Sequence, residues 1–209
     1  MSGLAFDHVM LAARDIDVAA GRLWTEHGLA SVIGGRHPGH GTGNRIVPLG
    51  DSYLEIIGIV DREEAAVSAL GGWIQHHTRE GDRLLGLCLR AYDLAVVAAR
   101  LDLSPVSMNR RRGDGAVLSW SLVGLDETLA DPGRPFFIQW DSRELHPGRE
   151  AASHRVEPAG MAWVETGADE AELRRWVGDD SLDLRAVEGP RGVAAVGIGT
   201  AHGVLELRN

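Results

Sequence analysis

One order of predicted elements recurs along the chain, and it constrains the fold more than any other feature of the sequence. Residues 5–60 predict a strand, a helix and three further strands, and residues 84–141 predict the same order again. The helices follow from apolar side chains spaced three and four residues apart, and the strands follow from alternating apolar and polar side chains. We therefore expect an α+β fold that is built from repeated βαβββ units.

The same order is predicted a third time, in residues 159–209, after a polar segment. Asp169, with Glu172 three residues later, has the spacing of a capping box at the start of a helix. The preceding residues 143–158 contain two prolines and are typical of a linker. We therefore expect residues 1–142 to form one domain and residues 159–209 to form a C-terminal βαβββ-like unit.

Two strands of the first unit each place one ionisable side chain among apolar neighbours. Strand side chains alternate between two faces, so His8 is expected on one face with Phe6 and Met10. In the same way, Glu55 is expected on one face with Tyr53. Burying an imidazole and a carboxylate is costly unless they are paired or bind a ligand. The two side chains are therefore candidates for a functional site, and the alternative is that they only hydrogen-bond each other or water.

A glycine-rich segment, residues 34–44, lies between the second and third predicted strands. Its five glycines give the backbone the freedom to wrap closely around a ligand. The polar side chains in this loop and at its exit are Arg36, His37, His40, Asn44 and Arg45. An arginine could pair with a carboxylate or phosphate, and a histidine could act as an acid, a base or a metal ligand near neutral pH. The alternative is a mobile hairpin whose polar residues are only solvated.

The bulk composition excludes several classes of partner. A net charge of -9 argues against nucleic acid as the main partner. No apolar run is long enough to span a bilayer, and no leader segment is recognised, so no membrane is expected. Because Cys88 is the single cysteine, no internal disulfide can form, and a reducing compartment is the simpler expectation. We therefore expect a cytoplasmic protein.

The first unit carries a resemblance to a known group of proteins. The residues that carry it are the strand Asp7-His8-Val9-Met10-Leu11, the glycine-rich segment and the strand Tyr53-Leu54-Glu55-Ile56-Ile57. With His on the first strand and Glu on the fourth, this unit resembles the glyoxalase-like branch of the vicinal oxygen chelate superfamily. That superfamily includes glyoxalase I, extradiol dioxygenases, and fosfomycin- and bleomycin-resistance proteins. The resemblance is closest over residues 5–60, extends through residue 141 and is weak beyond residue 150.

The resemblance implies that two units pair to form a cup-shaped, eight-stranded mixed sheet around one site. In such a site, the first and fourth strands of each unit supply the groups that face a divalent metal ion, such as Zn, Ni, Mn or Fe. The second unit departs from this pattern, because Leu87 at its first-strand position cannot bind a metal and Gln139 at its fourth-strand position is a weak neutral donor. The implied metal ligands are His8, Glu55 and Gln139, with His37 or His40 able to complete the set.

The resemblance also implies two alternative functions, each with a small-molecule ligand. The first is a metal-assisted enzyme, either a lyase, an isomerase or a dioxygenase, that acts on a small oxygenated substrate. Its catalytic candidates are Glu55, His37 and His40, with Glu55 as the general base if the site works without metal. Its substrate-binding candidates are Arg36, Asn44, Arg45, Tyr53, Phe137 and Gln139. The second is a binding protein of the bleomycin-resistance type, with an apolar cup lined by Phe6, Tyr53, Leu87 and Phe137.

The third unit adds an expectation about assembly. Because two units close one cup, a third unit leaves an unpaired sheet edge, and exposed edges are normally covered. We therefore expect two chains to pair and form a homodimer.

Overall fold

The first predicted unit forms one helix and four strands, in the predicted order. The computed structural model describes residues 3–111, 117–178 and 181–209, with residues 110 and 111 described by their backbone alone. The elements of the first unit are β1 Leu4–Ala12, α1 Ile16–His27, β2 Val32–His37, β3 Thr42–Pro48 and β4 Tyr53–Ile59. The Asp15 carboxylate accepts hydrogen bonds from two amides in the first turn of α1, and Gly28 ends this helix in the left-handed conformation.

The second unit follows after two short helices. These connecting helices are α2 Arg62–Ala66 and α3 Ala69–His77. The unit itself consists of β5 Arg83–Ala91, α4 Leu94–Leu101, β6 Val106–Arg111, β7 Val117–Val123, α5 Leu125–Ala130 and β8 Phe136–Trp140. A turn that the sequence predicts at residues 111–115 lies, except for its first residue, outside the described residues. None of the helices in the described part of the chain is long and apolar enough to cross a membrane.

The two units form one eight-stranded sheet with the strand order β2-β3-β4-β1-β5-β8-β7-β6. β1 and β5 pair antiparallel at its centre, while β1 pairs parallel with β4 and β5 pairs parallel with β8. The same pairing is therefore repeated on both sides of the central pair of strands. The sheet curls into a half-barrel, which confirms the predicted α+β fold with a cup-shaped mixed sheet.

The third unit forms a separate four-stranded sheet. Its elements are β9 Pro158–Gly167, α6 Glu170–Val177, β10 Leu184–Val187, β11 Gly192–Thr200 and β12 Gly203–Arg208. The predicted order of elements is confirmed, but the strands pair differently from those of the first two units. Here the first strand, β9, lies between β10 and β11, and the fourth strand, β12, lies at the edge beside β11. The third unit therefore does not repeat the half-barrel topology.

Apolar side chains form separate cores on the two faces of the half-barrel. On the outer face, α1, α4 and the four-stranded sheet cover the half-barrel, so that Leu87 and Leu89 of β5 share one core with Val193 and Val196 of β11. On the inner face, Trp73 of α3 joins a second core with residues of β1, β5 and β8. The third unit thus covers the back of the half-barrel, and the concave face is left to α3 and to a cavity.

Candidate active site

A cavity of about 120 Å³ lies within the half-barrel, and its two sides differ in chemistry. The first unit contributes the apolar side chains of Met10, Ile46 and Ile57 together with a polar group, which consists of His8, His37, His40, Asn44, Tyr53 and Glu55. The second unit lines the other side with apolar side chains, among them Trp120, Phe136 and Ile138. A concave, mostly apolar site with a few convergent polar groups is the usual form of a small-molecule site.

Glu55 lies at the centre of the polar side and is only 8% exposed. One carboxylate oxygen, Oε2, lies 3.7 Å from Nε2 of His8, and the other, Oε1, lies 3.7 Å from Nε2 of His37. The side-chain amide of Asn44 donates a hydrogen bond to Oε1. A buried carboxylate between two imidazoles can exchange a proton with either ring, or bind a cation together with them.

An irregularity in β1 decides which of its side chains reach the cavity. The register of β1 against β5 shifts between Phe6, which pairs with Leu89, and His8, which pairs with Cys88. As a result, Phe6 lies in the outer core while His8 lines the cavity. The prediction that these two side chains share a face is wrong, because it assumed an unbroken alternation and the strand contains a bulge. The residue between them, Asp7, is fully buried.

Asp7 fixes the position of the proton on His8. Its Oδ1 lies 2.8 Å from Nδ1 of His8. Burial acts to raise the pKa of Asp7, but hydrogen bonds from His146 and His8, and the charges of these rings, hold it well below its ordinary value. Since an ionised carboxylate can only accept hydrogen bonds, Nδ1 of His8 carries the proton. The other ring nitrogen, Nε2, faces Glu55, and in the neutral ring this is the atom that can act as a base or a metal ligand.

Residues 143–158, which the sequence predicts as a linker, pack against the cavity. His146 in this segment is buried, and its Nε2 donates to Oδ2 of Asp7 at 3.0 Å. Its Nδ1 accepts a hydrogen bond from the backbone amide of Gly148, and the next residue in the chain, Pro147, lines the cavity. This segment therefore holds Asp7 from the side opposite to His8.

Three residues of this arrangement were not identified from the sequence. They are Asp7, His146 and Trp140, whose indole nitrogen donates to Oδ2 of Asp7 at 3.0 Å. The adjacency of Asp7 to His8 was a signal that could have found the first of them. Nothing in the spacing of the other two residues places them beside Asp7, since they are more than 130 positions away in the chain.

The glycine-rich segment is a β-hairpin rather than an open loop. Its strands, β2 and β3, pair up to His37 and Thr42, and Nδ1 of His37 lies 2.9 Å from the hydroxyl oxygen of Thr42. Nδ1 of His40, in the turn, lies 3.1 Å from the hydroxyl oxygen of Ser68. At Gly41, where φ is 64°, a side chain would collide with the backbone of α2. The hairpin thus packs on α2 and presents both histidines to the cavity.

The structure does not bring Arg36 and Arg45 to the cavity. Arg36 is exposed and pairs with the carboxylates of Asp61 and Glu64. Arg45 pairs with the carboxylate of Asp17 on the other side of the sheet from the cavity. Each arginine is the immediate neighbour of a residue that lines the cavity, so the alternation along the strand turns it away. The prediction that these arginines bind the substrate is corrected accordingly.

The first strand of the second unit does not place Leu87 in the cavity. Cys88 is the direct partner of His8 in the pairing of β1 with β5, and it holds the position that the sequence analysis gave to Leu87. Leu87 lies in the outer core instead. Burial raises the pKa of the Cys88 thiol, and the nearby charges of Asp7 and Glu55 raise it further. Cys88 is therefore a protonated, fully buried thiol beside the site.

The fourth strand of the second unit turns Phe137 and Gln139 to the outer face. The side-chain oxygen of Gln139 accepts a hydrogen bond of 2.7 Å from the backbone amide of Leu94, at the start of α4. Phe137 is fully buried in the outer core. Since a shift of one residue exchanges the faces of a strand, Phe136 and Ile138 line the cavity in their place. The predictions of Gln139 as a metal ligand and of both residues as substrate-binding are corrected.

Two sets of side chains among the described residues offer donor atoms for a metal ion. In one, ligand atoms of Asp7, His8 and Cys88 lie within 4.8 Å of one another. The atoms of that set already have other partners or protons, because Nδ1 of His8 is hydrogen-bonded to Asp7 and the raised pKa of Cys88 keeps its thiol protonated. The other set consists of His8 through Nε2, Glu55, and His37 through Nε2. Two imidazoles and one carboxylate are ligand types that suit Zn, Ni, Mn or Fe, but among the described residues only the first set brings three ligand atoms within 4.8 Å of one another, so His8, Glu55 and His37 would have to move closer together to share an ion.

Comparison with known families identifies the family to which the chain belongs. The family described as "Glyoxalase-like domain" matches residues 6–179. The chain belongs to this family. The match confirms the resemblance to glyoxalase-like proteins of the vicinal oxygen chelate superfamily, and it spans most of the half-barrel and the start of the third unit. None of the curated proteins compared with the chain matches it.

Solved structures that are similar to this chain include one that matches almost its whole length. A crystal structure of a hypothetical protein from Staphylococcus aureus has a TM-score of 0.67 and 19% sequence identity, and the match covers 99% of this chain and 85% of that chain. Methylmalonyl-CoA epimerase from Mycobacterium tuberculosis has a TM-score of 0.43 and 18% identity, covering 65% of this chain and 85% of that chain. A variant of Streptomyces coelicolor methylmalonyl-CoA epimerase, in complex with 2-nitronate-propionyl-CoA, has a TM-score of 0.45 and 16% identity, covering 65% of this chain and 92% of that chain. The Staphylococcus aureus protein thus shares the half-barrel together with the third unit.

Proposed function

We propose that the protein is a glyoxalase-like enzyme that removes a proton from a carbon atom next to a carbonyl group in a small oxygenated substrate. The observation that carries this proposal is the buried carboxylate of Glu55, which lies 3.7 Å from an imidazole nitrogen of His8 and 3.7 Å from one of His37. Buried carboxylates and imidazoles are the side chains that most often transfer protons in enzymes. Proton removal next to a carbonyl is the step that isomerases and many lyases share.

In this proposal, Glu55 removes the proton from the substrate carbon and then transfers it to His8. Nε2 of His8 lies 3.7 Å from Oε2 of Glu55, so a small movement of either side chain brings the two atoms into hydrogen-bond distance. Asp7, ionised and bonded to Nδ1, stabilises the imidazolium that then forms. On the other side of Glu55, the side-chain amide of Asn44 donates to Oε1 of Glu55 and lies 3.3 Å from Nε2 of His37, so this amide holds the carboxylate and the second imidazole in place beside the substrate.

The same side chains are the ones that would hold a divalent metal ion, through Nε2 of His8, Nε2 of His37 and the Glu55 carboxylate. A bound Zn, Ni, Mn or Fe ion would act as a Lewis acid for adjacent oxygens of the substrate. Elemental analysis of protein purified without a His-tag measures this directly. About one metal ion per chain, lost in His8→Ala, supports the metal-assisted form. No metal after incubation with each of these ions supports Glu55 as a base that works without metal.

The proposed reaction is tested by exchange of substrate hydrogen for deuterium in D₂O, followed by NMR. Suitable probes are hydroxyacetone and 2-hydroxyacetophenone, which each carry acidic C–H bonds next to a carbonyl group. We expect exchange above the buffer rate for wild type and a loss of about 100-fold or more in Glu55→Gln, because a general base contributes about 10²–10⁴-fold. Glu63→Gln, at an exposed position of α2, is the matched control and should leave the rate unchanged. Equal exchange by wild type and Glu55→Gln, or none with either probe, would contradict the proposal.

A second candidate function is binding without chemistry, and the apolar side of the cavity favours it. Side chains of β6, β7 and β8 form this side without a polar group that could take part in a reaction, as far as the described residues extend. A probe that binds to wild type without any hydrogen exchange would favour this candidate over the enzyme.

We further propose that the protein is a cytoplasmic homodimer. The half-barrel and the four-stranded sheet each end in edge strands, which are β2 and β6 in one and β10 and β12 in the other, and such edges are commonly covered by another chain. Light scattering at micromolar concentration should give twice the chain mass of 22.5 kDa. A mass equal to that of one chain would contradict the dimer.

A further inference from the structure

The apolar side of the cavity has the shape and chemistry of a surface for a flat, uncharged group. It is lined by side chains from three neighbouring strands and includes Met108, Leu118, Trp120, Leu122, Phe136 and Ile138. The rings of Trp120 and Trp140 lie 5.3 Å apart at 46° to each other, and both side chains remain partly exposed. Partly exposed indole rings at the wall of a cavity offer large, rigid apolar surfaces to a ligand.

The charges around the cavity disfavour an anion. Among its described lining residues there is no arginine, and the chain contains no lysine. The carboxylate of Glu55 faces the cavity, whereas the ionised Asp7 behind His8 is paired with the buried guanidinium of Arg90 at 3.7 Å. The two arginines of the hairpin, Arg36 and Arg45, point elsewhere and are paired. Without a bound metal ion, an anionic ligand would lose its hydration here without gaining a permanent cation among the described lining residues as a partner.

The volume of the cavity sets the size of the ligand. An engineered apolar cavity of roughly 150 Å³ in another protein holds benzene, and the cavity in this protein measures about 120 Å³. The cavity in this protein is smaller, so it encloses at most a group of about that size, and the rest of a larger ligand would lie at its open mouth, beside the partly exposed Trp120 and Trp140. The polar groups of a bound molecule would lie beside Glu55 and the ring beside Trp120, since these residues line opposite sides of the cavity.

We infer that the ligand of this site is an uncharged hydroxy ketone or diketone whose apolar part is a single aromatic ring or a group of that size. The ring packs against Trp120 and Phe136, and the adjacent oxygens face Glu55, His8 and His37. The assignment of the oxygen-bearing end rests on the function proposed above, whereas the choice of a neutral, ring-sized group rests on the wall of the second unit. Free carboxylic acids and phosphates are therefore expected to bind in the cavity less tightly than such a neutral ligand.

The test is isothermal titration calorimetry with a neutral and an anionic probe of matched size, 2-hydroxyacetophenone and phenylglyoxylate. We expect wild type to bind the neutral probe at least about tenfold more tightly than the anion, because burial of an unpaired charge is costly. Trp120→Ala should weaken the binding of the neutral probe about tenfold, because the contacts between its ring and the indole are lost. Equal or tighter binding of the anion, or no binding of the neutral probe at millimolar concentration, would overturn the inference.

A second variant adds a charge to the cavity and is expected to bind the anion more tightly. A gain of affinity cannot be explained by loss of folding. Met108→Arg places a cation on the apolar side of the cavity and should shift the preference at least about tenfold towards phenylglyoxylate. Val106→Arg adds the same charge two residues earlier on β6, at an exposed position outside the cavity lining, and should leave the preference unchanged. A shift of the same size in both variants would overturn the inference, because it would reflect the overall charge of the protein.

The result is separable from that of the proposed reaction. Selective binding of 2-hydroxyacetophenone without hydrogen exchange would keep the neutral ligand and remove the enzymatic function. Hydrogen exchange without preference for the neutral probe would keep the enzymatic function and overturn the neutral ligand.

Discussion

Replacing Asp7 by asparagine tests whether this buried carboxylate determines which nitrogen of His8 carries a proton. Asp7 accepts hydrogen bonds from His8, His146 and Trp140, at 2.8, 3.0 and 3.0 Å. Asp7→Asn keeps the volume of the side chain but removes its negative charge. An amide nitrogen beside Nδ1 of His8 would also favour the tautomer with its proton on Nε2, where it can no longer accept a proton from Glu55.

The size of the effect follows from the bond that is lost. A hydrogen bond to a charged group contributes about 1.5–3 kcal/mol. If that stabilisation supports the imidazolium of His8 in the transition state, its loss lowers kcat/KM about 10- to 150-fold, at about 1.4 kcal/mol for each factor of ten. Deuterium exchange or turnover of the best probe measures this, and Asp126→Asn, at an exposed position of α5, is the matched control. Folded Asp7→Asn protein with wild-type kcat/KM would refute the reasoning.

For the same variant, we predict that the loss of stability relative to wild type depends on pH. The pKa of folded Asp7 lies below its value of about 3.9 in the unfolded chain. Ionised Asp7 therefore stabilises the fold fully above about pH 5, and this contribution is lost as the pH falls towards the lowered pKa. The difference in unfolding free energy between wild type and Asp7→Asn should accordingly shrink below about pH 4. Urea unfolding between pH 2 and pH 7 measures it, and a constant difference over this range would contradict the role of the charge.

Three further substitutions test other parts of the site. Cys88→Ala should leave the metal content of the protein unchanged in elemental analysis. A lower metal content in this variant would show that the thiol is a metal ligand. Gln139→Leu should lower the unfolding free energy by about 1 kcal/mol in urea, through the hydrogen bond lost at the start of α4, without changing substrate affinity. Gly41→Ala should cost about 1–3 kcal/mol more than Gly39→Ala, because only at Gly41 does the new side chain also meet the backbone of Ala65. Equal costs for the two glycines would contradict the packing of the hairpin on α2.

The sequence was sufficient to predict the order of the strands and the first helix of each unit, but not the short helix α5, and it also predicted the polar group of the site. Alternation in two short strands singled out His8 and Glu55, because each is an ionisable residue among apolar ones, and the structure places them 3.7 Å apart. The glycine-rich segment supplied His37, His40 and Asn44, which also line the cavity. These predictions depend on local patterns, and local patterns are visible in one sequence.

The errors in the second unit have a different cause. The strand Phe136–Trp140 is apolar on both faces, because one face lines the cavity and the other packs in the outer core. Such a strand has no alternation that would tell the two faces apart. The choice of Gln139 over Ile138 was therefore a shift of one residue that the sequence alone could not detect. The assignment of Phe6 to the same face as His8 was also wrong by one residue, because the bulge at Asp7 interrupts the alternation of β1.

Two other features depend on contacts between distant parts of the chain. The third unit has the predicted order of elements, but that order does not determine which strands become neighbours in the sheet. His146 lies in an irregular segment, and its contact with Asp7 joins residues 139 positions apart. Neither feature leaves a periodic pattern in the sequence, so only the three-dimensional structure reveals them.

The most direct test of the central claim is a double-mutant cycle on Glu55 and His8. The rates of hydrogen exchange are measured for wild type, Glu55→Gln, His8→Gln and the double variant under one set of conditions. If the two side chains act on the same proton, the double variant should be no slower than the slower single variant, because residues that act as a unit are not additive. Losses that multiply, or a His8→Gln rate equal to that of wild type, would contradict the account.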